Sequence, residues 1–317
     1  MQESSPGGPG WERGLIERLA LEAIAEQRRR RRWGIFFKLL AFAYLTLLLV
    51  LFVDWEASSE KFVESRKHTA LVELNGVISA KGEASADLFN SALQGAFEDK
   101  ATRGVVIRIN SPGGSPVQSG IINDEIHRLR TKHPNIPVYA VVEDICASGG
   151  YYVAAAADKI FVDKASIVGS IGVLMDGFGF TGLMDKLGVE RRLLTAGQNK
   201  GFLDPFSPQD ERHKAHAQTL LDDIHRQFID TVRKGRGARL KETPELFSGL
   251  MWTGAKSIEL GLADGYGTVE SVARDIIKAE EIRDYTQRRS LAERFARRFG
   301  SDVAEGLAGF FARAQMR

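Results

Sequence analysis

Gly104-Val105-Val106-Ile107-Arg108-Ile109, then Asn110-Ser111-Pro112-Gly113-Gly114-Ser115, then a periodic stretch from Pro116 to Lys132, together decide the fold of this chain. The first six residues read as a buried strand and the next six as a turn rich in Pro and Gly. The last stretch reads as a helix with Ile121, Ile122, Ile126 and Leu129 as its apolar positions. The same strand–turn–helix unit recurs on both sides. Upstream, Thr69 to Leu74 reads as a strand ending at Asn75-Gly76, and Ser85 to Phe97 has helical spacing. Downstream, Pro137 to Val142 is a third strand, followed by an Ala-rich helix from Ser148 to Ala157. Lys159 to Asp163 gives a fourth strand and Val189 to Leu194 a fifth. A long charged helix spans Pro208 to Lys234, with shorter ones near Glu245, Lys256 and Val269. Strands alternating with helices imply βαβ units, hence an α/β fold with a mostly parallel sheet covered by helices.

The 317 residues carry 43 Lys+Arg against 41 Asp+Glu, a net charge of +2. That balance gives no reason to expect a nucleic-acid binder. The single cysteine, Cys146, excludes an internal disulfide framework and any multi-cysteine zinc site.

The charge is unevenly spread. Residues 1–33 read as a cytoplasmic tail, rich in Gly, Pro and Ser at its start and closing on Arg28 to Arg32. From Ile35 to Val53 only Lys38 is charged, and at 1.5 Å per residue this run spans roughly 28 Å, the thickness of a bilayer core. Residues 34–54 are therefore expected to form one transmembrane helix, with Lys38 snorkelling to the headgroups. Arginines before the run and Asp54 and Glu56 after it orient the N-terminus inward. The remainder is placed outside the inner (cytoplasmic) membrane, as a linker at 55–68 and a main domain at 69–280. Residues 281–317 carry Leu291, Phe295, Phe299 and Val303 at helical spacing opposite Arg294, Arg297 and Arg298. They are expected to form an amphipathic segment, lying on the bilayer or packed on a second subunit.

Three segments at strand ends can carry chemistry. Ser111-Pro112-Gly113-Gly114 reads either as a plain turn or as bare backbone N–H donors that a substrate carbonyl can approach. Ser148 in Ala147-Ser148-Gly149-Gly150-Tyr151 reads either as an N-cap or as a nucleophile. Two glycines in the first helical turn are poor helix formers, so local stability is not the only demand there. Cys146 is the rival nucleophile, read here as a small apolar filler. None of the six histidines lies at a strand end, and all six default to solvated surface positions. A lysine kept neutral by burial can replace histidine as base, and Lys200, between Asn199 and Gly201 with no adjacent acid, is one candidate among many.

The ordered set Ser111-Pro112-Gly113-Gly114, Ala147-Ser148-Gly149-Gly150-Tyr151-Tyr152 and Gly169-Ser170-Ile171-Gly172-Val173 resembles the signal peptide peptidase (SppA-type) family of serine–lysine peptidases. Ser148 lies 34 residues after Gly114, and Ser170 lies 22 after Ser148. The likeness covers roughly Thr69 to Asp275. It implies a crotonase/Clp-protease-like fold, Ser148 as nucleophile, Lys200 as general base and Ser170 as the group orienting the lysine. Gly113 and Gly114 would supply the oxyanion donors. It further implies a membrane-anchored endopeptidase acting on apolar peptides such as released signal peptides, without metal or cofactor. Its short forms assemble as homo-oligomeric rings. Two other expectations stand beside it: a crotonase-like acyl-transfer enzyme, and a catalytically silent membrane scaffold of the same fold.

Overall fold

The computed structural model describes residue 21 and residues 26–47 and 66–288. Two compact units divide the chain after Ser65. In the first, residues 26–47 are helical and carry the exposed Arg28–Arg32 block. No helix among the described residues is long and apolar enough to cross a membrane. The expected span at 34–54 runs partly outside the described residues, as does the tail before it. The 55–68 linker and the 281–317 segment likewise lie largely outside them, including every apolar position named in the latter.

The second unit holds the sheet. Its strands are β1 (His68–Asn75), β2 (Thr102–Ser111), β3 (Val138–Ala147), β4 (Lys159–Val162), β5 (Ile167–Gly169), β6 (Met251–Thr253), β7 (Gly265–Tyr266) and β8 (Ile282–Asp284). The main path is β6-β5-β3-β2-β1-β8, with β4 and β7 branching from β3. Every pairing is parallel except β5 with β6. The α/β reading therefore holds, and the central strands Val105–Ile107 and Val138–Val142 are apolar because both sheet faces are covered.

Strand β3 divides the architecture. Its first half, Tyr139 to Val141, pairs with β4, whereas its last residues, Ile145 to Ala147, pair with β5. Three helices pack nearby: α1 (Ala86–Glu98), α2 (Pro116–Lys132) and α3 (Gly149–Ala154). Helix α2 keeps the bounds its apolar spacing predicts. It opens on Pro116, and the Ser115 hydroxyl accepts from the Gln118 N–H at 3.3 Å, so the first turn is capped. The main core joins Phe89, Leu93 and Phe97 of α1 to Ile107, Ile122, Ile126 and Leu129, and continues to Tyr151. A smaller cluster on the other face joins Leu71, Val106, Val141 and Phe161 to Val269 and Val272.

Two expected elements differ. Residues 189–194 form no strand; they lie exposed after the short helix α4 (Thr181–Leu187). A strand persists only where a neighbour completes its ladder, and among the described residues no strand pairs with this stretch; the fifth strand is β5. The segment near Glu245 forms turns rather than a helix. The long charged helix is α5 (Glu211–Arg236), capped by Asp210.

Candidate active site

The site stands where β1, β2, β3 and β5 end. Strand β3 runs straight to Ala147, and Ser148 follows with φ 50° and ψ −122°, the conformation of the first central residue of a type II′ turn, where glycine is preferred. A serine held there is strained, and such strain persists only when its surroundings enforce it. They do so here. The Ser148 N–H donates to Gly169 O at 2.8 Å, and Tyr152 N–H donates back to Ser148 O at 3.0 Å. The Ser148 side chain makes no capping bond, so its half-buried hydroxyl is not consumed by the helix it precedes.

Ser170 is the second strained serine, with φ 52°. Register pairs Ala147 with Gly169, which puts Ser148 and Ser170 at neighbouring strand exits. Its N–H donates to Leu250 O at 2.8 Å, and the Gly172 N–H donates to its carbonyl at 3.0 Å. His225, on α5, sits with Nε2 3.1 Å from Ile171 O and so braces the residue after Ser170. Sequence reasoning missed this contact, because 54 residues separate the partners.

The glycine turn after β2 closes the site. A Cβ on Gly114 would fall 2.2 Å from Ile78 O, and one on Gly113 would fall 2.6 Å from the Gly149 nitrogen. Both positions also have positive φ, so glycine is demanded twice over. Ile78 clamps the turn by donating to Gly113 O at 2.8 Å and accepting from Ser115 N–H at 2.9 Å. The Gly113 N–H donates to Ser111 Oγ at 3.1 Å. Among the described residues, the Gly114 and Gly149 N–H groups have no protein acceptor. The Gly114 nitrogen lies 3.3 Å from where a Cβ of Gly149 would stand, so the two donors are neighbours beside Ser148. Helix α3 is only six residues long, so these individual N–H groups rather than a helix dipole offer positive charge.

The other side chains sort clearly. Cys146 is fully buried, and burial pushes its thiol up, which makes it an inert filler. His68, expected on the surface, is 2% exposed, with Nε2 3.0 Å from the Tyr285 hydroxyl. His127 is partly buried, and desolvation pushes its imidazole down. Among the described residues, no cluster of three or more His, Cys, Asp or Glu side chains is arranged to hold a metal ion.

Lys200 lies elsewhere in the unit. It is exposed, in a turn held by its N–H to Gly197 O at 3.1 Å, and no hydrogen bond links its amine to Ser148 or Ser170 within the chain. The segment around it, residues 173–210, is an arm with most residues exposed and none buried. Leu174, Phe178, Leu187 and Leu194 stand 80%, 78%, 68% and 96% open. The arm is tied to itself by Phe180 stacked on Phe206, and to α5 by Phe202 against His213 and His216. His213 Nε2 also meets Asn199 Oδ1 at 3.2 Å. A cleft of about 690 Å³ lies between the arm and the start of α5.

Parallel strands that deliver a strained serine beside two free N–H donors define the class: an α/β domain with a strained serine at a strand exit. The sequence profile of peptidase family S49 matches residues 130–283. A protein of Enterococcus faecium named "Putative signal peptide peptidase SppA" is 33% identical over 242 residues, covering 73% of this chain and 70% of the relative. One of Synechocystis sp. named "Putative protease" is 35% identical over 206 residues, 65% of this chain and 72% of the relative. The chain belongs to peptidase family S49, the SppA-type family that its motifs resemble. It is also 46% identical over 209 residues to a protein of Brucella abortus named "Na(+)/H(+) antiporter NhaA". That match takes in 64% of this chain but only 28% of the relative's length.

Proposed function

We propose that this protein is a membrane-anchored serine endopeptidase that cleaves apolar peptides, such as released signal peptides, outside the cytoplasmic membrane. The observation that carries the reading is Ser148: a strained, uncapped serine beside the free Gly114 and Gly149 N–H donors, in a chain of family S49. Ser148 Oγ attacks the peptide carbonyl carbon while its proton passes to the neutral Lys200 amine. The carbonyl oxygen becomes an oxyanion held by the Gly114 and Gly149 N–H groups, the Gly113 N–H being already engaged by Ser111. Such donors contribute about 2.7–4 kcal/mol each to the transition state. The Lys200 ammonium then protonates the leaving amine. Water next attacks the acyl carbon as it gives a proton to the neutral Lys200 amine, which returns that proton to Ser148 Oγ as the acyl C–O bond breaks and the product acid leaves. Ser170 orients the lysine.

Within one chain nothing joins Lys200 to Ser148, so a neighbouring copy supplies it in a homo-oligomeric ring. The open apolar arm supports that assembly, because so many large apolar side chains exposed on one segment are the composition of an interaction surface. Burial of the arm between copies would also surround Lys200 with protein, which disfavours its charged form. Residues 34–54 anchor the ring, with the N-terminus cytoplasmic.

The test is active-site labelling. A fluorophosphonate probe is expected to label the wild-type full-length protein in detergent, and the protein to hydrolyse an apolar peptide. Ser148→Ala should do neither, and Lys200→Ala should bring peptide hydrolysis to background. Labelling that persists in Ser148→Ala overturns the reading; an unlabelled wild type points to the acyl-transfer or scaffold alternative.

A further inference from the structure

We infer that Ser111 is the positioning residue of the oxyanion turn: its hydroxyl fixes which backbone N–H of Gly113-Gly114 faces the reacting carbonyl. The inference rests on the proposed role of Ser148.

Ser111 is the last residue of β2 and is wholly buried. Its Oγ donates to Gly76 O at 2.7 Å and accepts from the Gly113 N–H at 3.1 Å. Gly76 follows the last residue of β1 and Gly113 lies in the turn after β2, so one hydroxyl joins the exits of two strands. A hydroxyl can do both at once because it has a proton to give and lone pairs to accept with. Ser111 also reaches the third strand exit. It stands opposite Cys146 in the register, and a Cβ on Gly150 would meet Ser111 O at 2.9 Å. The oxyanion turn and the helix that follows Ser148 are thus built on the same residue.

The consequence is directional. The Ser111 hydroxyl takes up the Gly113 N–H and so fixes the Pro112–Gly113 peptide, while the Ile78 N–H on Gly113 O fixes the Gly113–Gly114 peptide that follows. The Gly114 N–H is then the one that faces the Gly149 N–H. Without the hydroxyl, Gly113 would have a buried, unpaired donor, and the turn could relieve that cost by flipping. A flip of the Pro112–Gly113 peptide would shift the turn that carries the Gly114 N–H and displace that donor from the developing oxyanion.

The experiment compares Ser111→Ala and Ser111→Thr with wild type and Ser148→Ala, all as full-length protein. It measures kcat and KM on an apolar peptide and on a matched ester and thionoester pair, together with thermal midpoint and particle size. Sulfur accepts hydrogen bonds poorly, so a working oxyanion hole favours the ester over the thionoester. In Ser111→Ala, kcat should fall about 10- to 100-fold, short of the effect of deleting a donor outright, with KM within about threefold. The ester-to-thionoester preference should shrink with it, and Ser111→Thr, which keeps the hydroxyl, should restore both. A wild-type kcat in Ser111→Ala overturns the inference, and so does a lower kcat with the preference intact. If Ser111→Ala does not fold, the preference in Ser111→Cys, with its weaker donor and acceptor, decides by the same criterion. Activity surviving in Ser148→Ala would instead remove the reading on which the inference stands.

Discussion

Ser148 and Ser170 are two of the four non-glycine residues with positive φ in the described structure, and they leave adjacent strands side by side. Strain of this kind costs about 1–3 kcal/mol per residue, so the surrounding ladder must outweigh it. Gly114 shows how little tolerance the site has. A methyl group there would enter the space of Ile78 O, a backbone atom locked on both sides by the glycine turn. Gly114→Ala is expected to lower the fluorophosphonate labelling rate at least about 100-fold by displacing the turn's donor. Labelling kinetics on the folded variant check this, and a wild-type rate would place the oxyanion elsewhere. The requirement for two glycines is visible in the sequence. That Gly113 spends its N–H on Ser111 while Gly114 keeps its own is not, because both have the same side chain and differ only in their surroundings.

At the scale of elements, α5 is fixed to the sheet by a buried ionic junction. Arg236 is wholly buried, donating through Nε to Gly261 O at 2.8 Å and through Nη1 to Asp264 Oδ2 at 2.8 Å. Asp264 also accepts from the Ile160 N–H at 2.7 Å and from Arg239 at 3.2 Å. Burial alone would raise the Asp264 carboxyl, but the Arg236 and Ile160 hydrogen bonds and the two guanidinium charges hold it below the usual range. A carboxylate whose folded pKa is depressed stabilises the fold above its unfolded value, near pH 4, and loses that contribution as pH falls further. Asp264→Asn leaves Arg236 buried without a counter-charge, which costs about 3–5 kcal/mol. Denaturant unfolding at pH 7 should show that loss, and the gap from wild type should narrow below about pH 4. A constant gap across that range would show that the charge is not what Asp264 contributes. Other elements were simpler to foresee: α2 follows from its apolar spacing and its Ser-Pro start, and β2 from its unbroken apolar run. The exposed Glu143-Asp144 pair marks a break within β3, but the division of the strand between β4 and β5 was not legible, since only the three-dimensional path decides which strand pairs with each half.

For the whole molecule, the arm at 173–210 is the feature a single chain leaves unexplained. It exposes large apolar side chains and carries Lys200, whose amine meets neither serine of the site. In the proposed ring both facts have one cause: the arm is an interface and Lys200 completes a neighbour's site. The double variant Phe178→Asp with Leu194→Asp, solubilised in detergent, should therefore sediment as a smaller particle and lose peptide hydrolysis together with assembly. An active monomer would refute the proposal. Mixing Ser148→Ala with Lys200→Ala should restore part of the hydrolysis if the pair forms between copies, and none if it forms within one.

The sequence alone carries the α/β alternation, the three strand-end motifs and the family, because periodicity and glycine placement are local properties that the chain displays along its length. It could not show that residues 189–194 lack a strand partner, that His225 braces the Ser170 loop, or that the Gly149 N–H joins that of Gly114. Those are decided between residues far apart in the chain. A backbone hydrogen bond is satisfied only by whatever the fold brings within about 3 Å of it.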